Sequence, residues 1–119
     1  MRSEDLVEVI NLINLYPVGV DTRRWDLFDR IFTQNAQTDF GGLARWNDLP
    51  SLKRDFEIVH RPFEATLHIT TNHQVVVHGE RANCLSYVHG RFIRQLPEGG
   101  NMFESVSYTH LTLPTILRV

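Results

Sequence analysis

The stretch that decides the fold is residues 65–94, which read ATLHITTNHQVVVHGERANCLSYVHGRFIR. It is rich in Val, Thr, Ile, Tyr and Phe, the residue types that fit the pleated surface of a sheet. The pattern predicts strands over residues 66–71, 74–78 and 82–94, with turns at 79–80 and 97–100. Short turns join antiparallel neighbours, so we expect these strands to form one antiparallel sheet.

The residues before this stretch begin with a helical pattern. Ser3 can cap a first helix, whose apolar positions recur at helical spacing from Leu6 to Leu15. Pro17 and Gly19 are expected to interrupt or kink this helix, because proline lacks an amide donor and crowds the preceding turn.

Two more helices are expected before the sheet. Asp21 or Thr22 can cap the second, and Ser51 can cap a weaker third helix that ends near residue 60. Residues 36–40 read as a short strand between them. Helices followed by antiparallel strands predict an α+β domain, with the helices packed on one face of a curved sheet.

Composition excludes several classes of function. A chain of 119 residues supports one domain, and a formal net charge of −2 gives no electrostatic case for binding nucleic acid or an anionic membrane. The sequence contains neither an apolar run long enough to span a bilayer nor a secretory signal pattern. The single cysteine, Cys84, fits a reducing compartment, so we expect a cytoplasmic protein.

The end of the chain differs in kind from the rest. Residues 106–115, VSYTHLTLPT, resemble the conceptual translation of a transposon end and adapter used in shotgun sequencing libraries. We therefore expect the natural domain to cover residues 1–105 and to lack its last native strands, with residues 106–119 as a non-native tail. The alternative is a genuine edge strand that ends at Pro114.

Two residues far apart in the chain suggest chemistry. Asp21 follows a helix and His68 lies on a predicted strand, and an imidazole oriented by a carboxylate can take a proton from carbon near neutral pH. Tyr16 lies little more than one helical turn before Asp21, so its phenol could face the same space. Each also has a structural interpretation. Asp21 could be a helix N-cap, His68 could be a strand histidine bonded to a neighbouring backbone group, and Tyr16 could be a wall residue.

A set of short segments follows in a recognisable order: residues 15–16 (LY), 20–26 (VDTRRWD), 32–33 (FT), 39–42 (DFGG), 65–68 (ATLH) with Asn72, 75–79 (VVVHG), 82–94 and 98–104 (EGGNMFE). Taken in this order, the set resembles the SnoaL-like domains of the nuclear-transport-factor-like, or cystatin-like cone, superfamily. The resemblance covers essentially residues 6–104.

The resemblance implies a cone in which helices close one end of a strongly bent sheet around an apolar pocket. Family members include scytalone dehydratase, bile-acid 7α-dehydratase, hexachlorocyclohexane dehydrochlorinase, steroid isomerases and polyketide cyclases. Several of the eliminating enzymes use a His–Asp dyad and no cofactor, and their catalytic Asp, His and Tyr match Asp21, His68 and Tyr16. The implied function is a cofactor-independent lyase or isomerase acting on a small hydrophobic cyclic molecule, with the full-length protein a homo-oligomer.

The long strand 82–94 supplies further candidates for the pocket. By alternation, one of its faces carries Ala82, Cys84, Ser86, Val88, Gly90 and Phe92. The expected substrate contacts are Ser86, Val88 and Phe92, together with Asn72, Trp25 and Asp39. Several dehydratases carry a second polar catalytic residue near the position of Phe92, so this chain is expected to have a one-base site, unless a bulge turns Arg91 inward.

Two alternative functions remain open. Asp39 lies where the resemblance to steroid isomerases puts their carboxylate base, and a carboxylate in an apolar pocket can have a raised pKa and shuttle a proton between carbons. Its structural reading is a strand end before Gly41. The other alternative is a non-catalytic module of the same fold that binds a small ligand or dimerises.

The histidines between His60 and His89 raise the question of a metal site. His68, His73 and His78 are separated by odd numbers of residues, so adjacent ones are expected on opposite faces of a strand. No Cys pair, His-x-His or His-Glu-x-x-His motif accompanies them. We therefore expect no metal ion.

Overall fold

The architecture is a set of helices followed by an antiparallel sheet. The structure is a computed structural model that describes residues 3–41, 44–112 and 115–116. Its elements are α1 (Ser3–Asp21), a 3-10 turn (Trp25–Leu27), α2 (Phe28–Ile31), β1 (Thr38–Asp39), β2 (Arg45–Trp46), α3 (Leu49–His60), β3 (Ala65–His78), β4 (Arg81–Gln95), β5 (Asn101–Thr112) and β6 (Thr115–Ile116). Within these ranges, no helix is both long and apolar enough to cross a bilayer.

The main sheet contains β3, β4 and β5 in that order, all antiparallel, and β6 pairs with the start of β4. β1 and β2 form a separate two-stranded ladder. The predicted α+β class, with helices on one face of the sheet, is confirmed. β5 continues through residues 106–112, part of the segment assigned to the non-native tail; residues 113–114 and 117–119 lie outside the described part, and the domain boundary stays a prediction.

α1 runs without a break to Asp21, so the predicted interruption at Pro17 is wrong. Pro17 and Gly19 are both buried, and a Cβ on Gly19 would lie 3.2 Å from Cε1 of Phe28. The apolar contacts of the buried face hold the last turn, which helix propensity alone would not favour. Asp21 therefore ends α1 instead of capping a second helix.

The next two helices also begin differently from the prediction. The second is only a 3-10 turn followed by the single-turn helix α2, and no side chain caps either of them. Asp48, and not Ser51, caps α3: its Oδ1 accepts a hydrogen bond of 2.7 Å from the amide of Ser51. Pro50 lies in the first turn, where its missing N–H leaves no bond unmade.

The core has two parts, one between α1 and the sheet and the other among the helices. In the first part, Val9 and Ile13 of α1 pack against Ala82 and Cys84 of β4. The second is largely aromatic and joins α1, α2 and α3; it contains Tyr16, Val20, Phe28, Leu49, Leu52 and Phe56. The buried pattern of β4 follows the predicted alternation from Ala82 to Gly90.

β3 is one strand with a bulge, where two strands were predicted. The register against β4 shifts between Thr71 and Gln74, and Asn72 has a positive φ of 58°. The extra residue reverses the alternation. His73 therefore faces the helices, as His68 does. The prediction that these two histidines lie on opposite faces is wrong, because it counted the alternation from residue 68 to residue 73 without the extra residue of the bulge.

His73 takes part in a polar contact between α1 and β3, which we call the Asn14 clip (Asn14, Thr70 and His73). Oδ1 of Asn14 accepts hydrogen bonds from the Thr70 hydroxyl (2.8 Å) and from Nε2 of His73 (3.0 Å). The amide oxygen only accepts, so Nε2 carries the proton and Nδ1 accepts from the Ser86 hydroxyl at 2.6 Å. Both ring nitrogens of His73 are thus used by the protein.

Five large apolar side chains are exposed on the face of the sheet away from the helices: Leu67, Ile69, Val76, Leu85 and Tyr87. Their strands are paired, so the side chains lie near one another across β3 and β4. Such a surface is compatible with the expected homo-oligomer, which stays a prediction.

The Asn14 clip can be tested through Ser86, whose side chain is fully buried. Ser86→Ala removes the donor to Nδ1 of His73 and leaves a half-buried acceptor unpaired, so we expect the free energy of unfolding to fall by about 1 kcal/mol in urea titrations. Asn83→Ala, at an exposed position of the same strand, is the control and is expected to change it by less than about 0.5 kcal/mol. Equal effects of the two substitutions would contradict this account.

Candidate functional site

The carboxylate of Asp21 lies between the end of α1 and the start of β3. Its Oδ1 is 2.7 Å from Nδ1 of His68 and accepts a second hydrogen bond of 2.9 Å from the Thr66 hydroxyl. Its Oδ2 accepts from the backbone amide of His68 at 2.7 Å. We call this group the Asp21 clip (Asp21, Thr66 and His68); it brings together the two residues that the sequence singled out.

This arrangement fixes the state of the imidazole. A carboxylate only accepts hydrogen bonds, so Nδ1 of His68 carries a proton, and in the neutral imidazole the lone pair is therefore on Nε2. Among residues 3–41 and 44–100, whose side chains the structure describes, no group is hydrogen-bonded to Nε2. The side chain of His68 is only 8 % exposed and that of Asp21 19 %, so the pair is largely shielded from water.

Opposing effects act on the pKa of Asp21. Burial raises it, but the hydrogen bonds from the side chain and amide of His68 and from Thr66 together outweigh burial, so the pKa lies below its usual 3.8. Asp21 is therefore ionised at neutral pH, which is the state that an orienting partner for an imidazole requires.

β4 provides the surface on which the imidazole lies. Gly90 is directly opposite His68 in the sheet, and a Cβ there would lie 3.1 Å from Cδ2 and 3.2 Å from Nε2 of the ring. Phe92 stands edge-on to His68, with ring centroids 5.3 Å apart. Glycine at position 90 thus makes room for the ring, and Phe92 supplies an apolar neighbour instead of a second polar group.

An aromatic wall continues from Phe92 to the end of α3. Phe63 lies 5.1 Å and His60 6.4 Å from Phe92 between ring centroids, and Trp25 lies 5.5 Å from His60. Burial lowers the pKa of His60, while its bond to the Phe56 carbonyl (2.7 Å) acts in the opposite direction. His60 is therefore a neutral part of the wall, with the proton on Nδ1.

Tyr16 lies in the aromatic core beside this wall. Its ring stacks on Phe28 at 5.6 Å and meets Phe32 edge-on at 6.4 Å. Trp25 contacts Phe28 and Phe56 edge-on as well as His60. Both residues therefore pack in the aromatic core or its wall, and their roles towards a substrate stay predictions.

The other predicted contacts fall into three environments. Ser86 and Val88 are buried on the inner face of β4, and Ser86 belongs to the hydrogen bonds of His73. Asn72 is exposed in the bulge. Asp39 is on β1, where it accepts from Arg45 at 2.7 Å and from the Gly41 amide at 3.1 Å, with about half of its side chain exposed.

Thr66, Gly90 and His60 are neighbours of the dyad, or of its wall, that sequence reasoning did not assign to the site. Thr66 precedes His68 by two residues on the same strand, so strand alternation could have indicated it. Gly90 requires the register of β3 against β4, which no sequence pattern supplies. In the described part of the chain, no three His, Cys, Asp or Glu side chains are arranged to hold a metal ion.

Solved structures share this fold. A protein from Kribbella flavida, Kfla4162, aligns with a TM-score of 0.77 and 23 % identity, over 89 % of this chain and 78 % of its own. A hexachlorocyclohexane dehydrochlorinase, LinA type 2, aligns with a TM-score of 0.66 and 16 % identity, over 99 % and 97 %. A protein of unknown function with a cystatin-like fold from Nostoc punctiforme aligns with a TM-score of 0.67 and 14 % identity, over 87 % and 88 %.

These identities show a common fold and nothing finer. Among curated proteins, none matches the chain by sequence. A family model described as SnoaL-like domain matches residues 1–112, which include α1, the sheet strands β3 to β5 and both members of the dyad. The chain therefore belongs to the SnoaL-like domain family.

Proposed function

We propose that this chain is a cofactor-independent enzyme of the lyase or isomerase type, in which His68 removes a proton from carbon. The observation that carries the proposal is the 2.7 Å contact between Oδ1 of Asp21 and Nδ1 of His68, which leaves the lone pair on Nε2. The similar fold of a hexachlorocyclohexane dehydrochlorinase supports elimination as the reaction class.

The proposed step begins with transfer of a substrate proton to Nε2. The imidazolium that forms keeps its Nδ1–H bond to Asp21, whose negative charge stabilises it in a site largely closed to water. The electrons of the broken C–H bond form a double bond as a neighbouring group departs, or move towards an adjacent carbonyl in an isomerisation. Tyr16 is proposed to bind the substrate oxygen or the departing group.

The surroundings of His68 support a hydrophobic, ring-containing substrate. Phe92 and Phe63 pack against one another beside the imidazole, and His60 and Trp25 extend this aromatic surface, with the guanidinium of Arg94 over the Phe63 ring at 5.2 Å from its centroid. Aromatic faces and edges favour flat or ring-shaped apolar molecules. Asp39 is not proposed as the base, because it is half exposed and paired with Arg45, whereas a carboxylate base needs an apolar setting to raise its pKa.

The dyad is tested by His68→Gln and Asp21→Asn against a panel of cyclic hydroxy and halo compounds. Loss of the base is expected to lower kcat by about 10²–10⁴-fold. Asp21→Asn is expected to lower kcat by at least about 10²-fold, since an amide no longer fixes the tautomer. The matched control is His73→Gln, which removes the histidine of the Asn14 clip and is expected to keep turnover within about threefold when normalised to folded protein.

Full turnover in both dyad variants would exclude His68 as the base. Binding of apolar ring compounds that His68→Gln leaves unchanged, without turnover in the unsubstituted protein, would identify a ligand-binding module instead. Loss of activity in Asp39→Ala but not in His68→Gln would identify the isomerase alternative.

The ionised state of Asp21 has a consequence for stability. Its pKa is lower in the folded protein than the ordinary value of 3.8, so its contribution is complete above about pH 5 and is lost as pH falls through the folded pKa. The difference in unfolding free energy between the unsubstituted protein and Asp21→Asn is therefore expected to shrink as pH falls below 3.8 and through the folded pKa. Urea unfolding from about pH 5 downwards measures it; a difference that grows below 3.8 would contradict the assignment.

A further inference from the structure

Arg23 occupies a backbone conformation that arginine rarely adopts. Its φ is 60°, directly after the end of α1. The amide of Arg24 donates to the Gly19 carbonyl (2.9 Å) and that of Arg23 to the Val20 carbonyl (3.2 Å), the bond pattern that ends many helices and normally places glycine at this position. A side chain retained where glycine is favoured is a sign that the side chain has a use.

The guanidinium of Arg23 contacts the Asp21 clip through Thr66. Its Nη1 donates to the Val20 carbonyl at 2.7 Å and to the Thr66 hydroxyl at 2.9 Å. Thr66 in turn donates to Oδ1 of Asp21, the oxygen that also receives Nδ1–H of His68. Two hydrogen bonds thus run in one direction, from Arg23 to Thr66 and from Thr66 to the carboxylate that orients the imidazole.

This direction matters because a hydroxyl has a single proton. The guanidinium of Arg23 has donors only, so the Thr66 hydroxyl accepts a hydrogen bond from it and donates its own proton to Asp21. The carboxylate then receives two donors at Oδ1 and the His68 amide at Oδ2, which leaves it in one orientation. Without the guanidinium, the Thr66 hydroxyl is free to rotate and to accept from water.

The charge of Arg23 has a second effect. Asp21 is the last residue of α1, where the unpaired carbonyls of the helix carry partial negative charge and disfavour an anion, and the last turn contains no basic residue. Arg23 lies just beyond that turn and binds one of its carbonyls, so its positive charge offsets both the helix end and the carboxylate.

We propose that Arg23 is a positioning residue, which fixes the Thr66 hydroxyl towards Asp21 and thereby holds His68 in the tautomer with its lone pair on Nε2. For its catalytic consequence, this inference rests on the proposed role of His68 as the base. For its structural consequence it does not, since the tautomer is measurable without a substrate.

The test separates this role from simple helix capping. Arg23→Gly deletes the guanidinium but places the preferred residue at a φ of 60°, so the helix end is kept. Asn72→Gly is the matched control for the ring resonances and for stability, and not for kcat, because Asn72 is itself a predicted substrate contact: it relieves a positive φ of 58° in the bulge of β3, where its exposed side chain lies outside the dyad. Asn72→Gly is expected to keep or raise the midpoint of thermal unfolding. In Arg23→Gly the relief of φ and the loss of the bonds to Val20 and Thr66 oppose one another, so a folded protein with a midpoint close to that of the unsubstituted protein is expected.

Of these two glycine variants, Arg23→Gly alone is expected to alter the nitrogen and downfield proton resonances of the His68 ring, with loss of the slowly exchanging Nδ1–H signal. With an active substrate it is expected to lower kcat by about tenfold or more with little change in KM, and Arg23→Lys is expected to restore part of it. Thr66→Val, which keeps the shape but removes the hydroxyl, is expected to give the same spectral change.

An unchanged Nδ1–H signal and tautomer in Arg23→Gly, or in Thr66→Val should the first variant fail to fold, would overturn the proposal and leave Arg23 as a helix cap. A changed tautomer in a protein that turns over no compound of the panel would support the positioning role while removing the proposed function. The two conclusions therefore fail separately.

Discussion

The carboxylate of Asp21 is the joint between the helical layer and the sheet. An acidic residue at the C-terminal end of a helix is locally unfavourable, and both its oxygens are instead committed to β3, through Thr66 and through the amide and ring of His68. Those bonds fix where α1 ends, how far it lies along the strand and which nitrogen of the imidazole is free. The unfavourable position of an acidic residue at this helix end is thus offset by contacts with β3, and such departures from local preference are common at functional sites.

α1 makes the same kind of contact with β3 twice, about two helical turns apart. In the Asn14 clip and in the Asp21 clip, one side chain of α1 receives a threonine hydroxyl and a histidine ring from the strand. The difference lies in the second ring nitrogen. His73 uses it for Ser86, whereas His68 has no hydrogen-bonded partner there among the side chains of residues 3–41 and 44–100, so the two similar clips separate a structural histidine from a candidate base.

The sequence predicted the class of fold, the buried face of β4 and the contact between Asp21 and His68, from strand alternation and from the order of the family segments along the chain. It failed at Pro17, where tertiary packing outweighs helix propensity, and at Asn72, where one extra residue reverses the faces of β3 and turns His73 inward. It also missed Arg23 and Gly90. Their roles follow from a helix end meeting a strand and from cross-strand register, and neither can be read from a single segment.

The absence of a side chain at position 90 has a consequence for the history of this site. The imidazole of His68 occupies the volume that a Cβ on Gly90 would take, at 3.1–3.2 Å. The sizes of the side chains at positions 68 and 90 are therefore expected to constrain one another. In relatives with a histidine at position 68 we expect glycine at position 90. Where the residue at position 68 is smaller, a larger residue can be accommodated at position 90, so the two positions are expected to vary together.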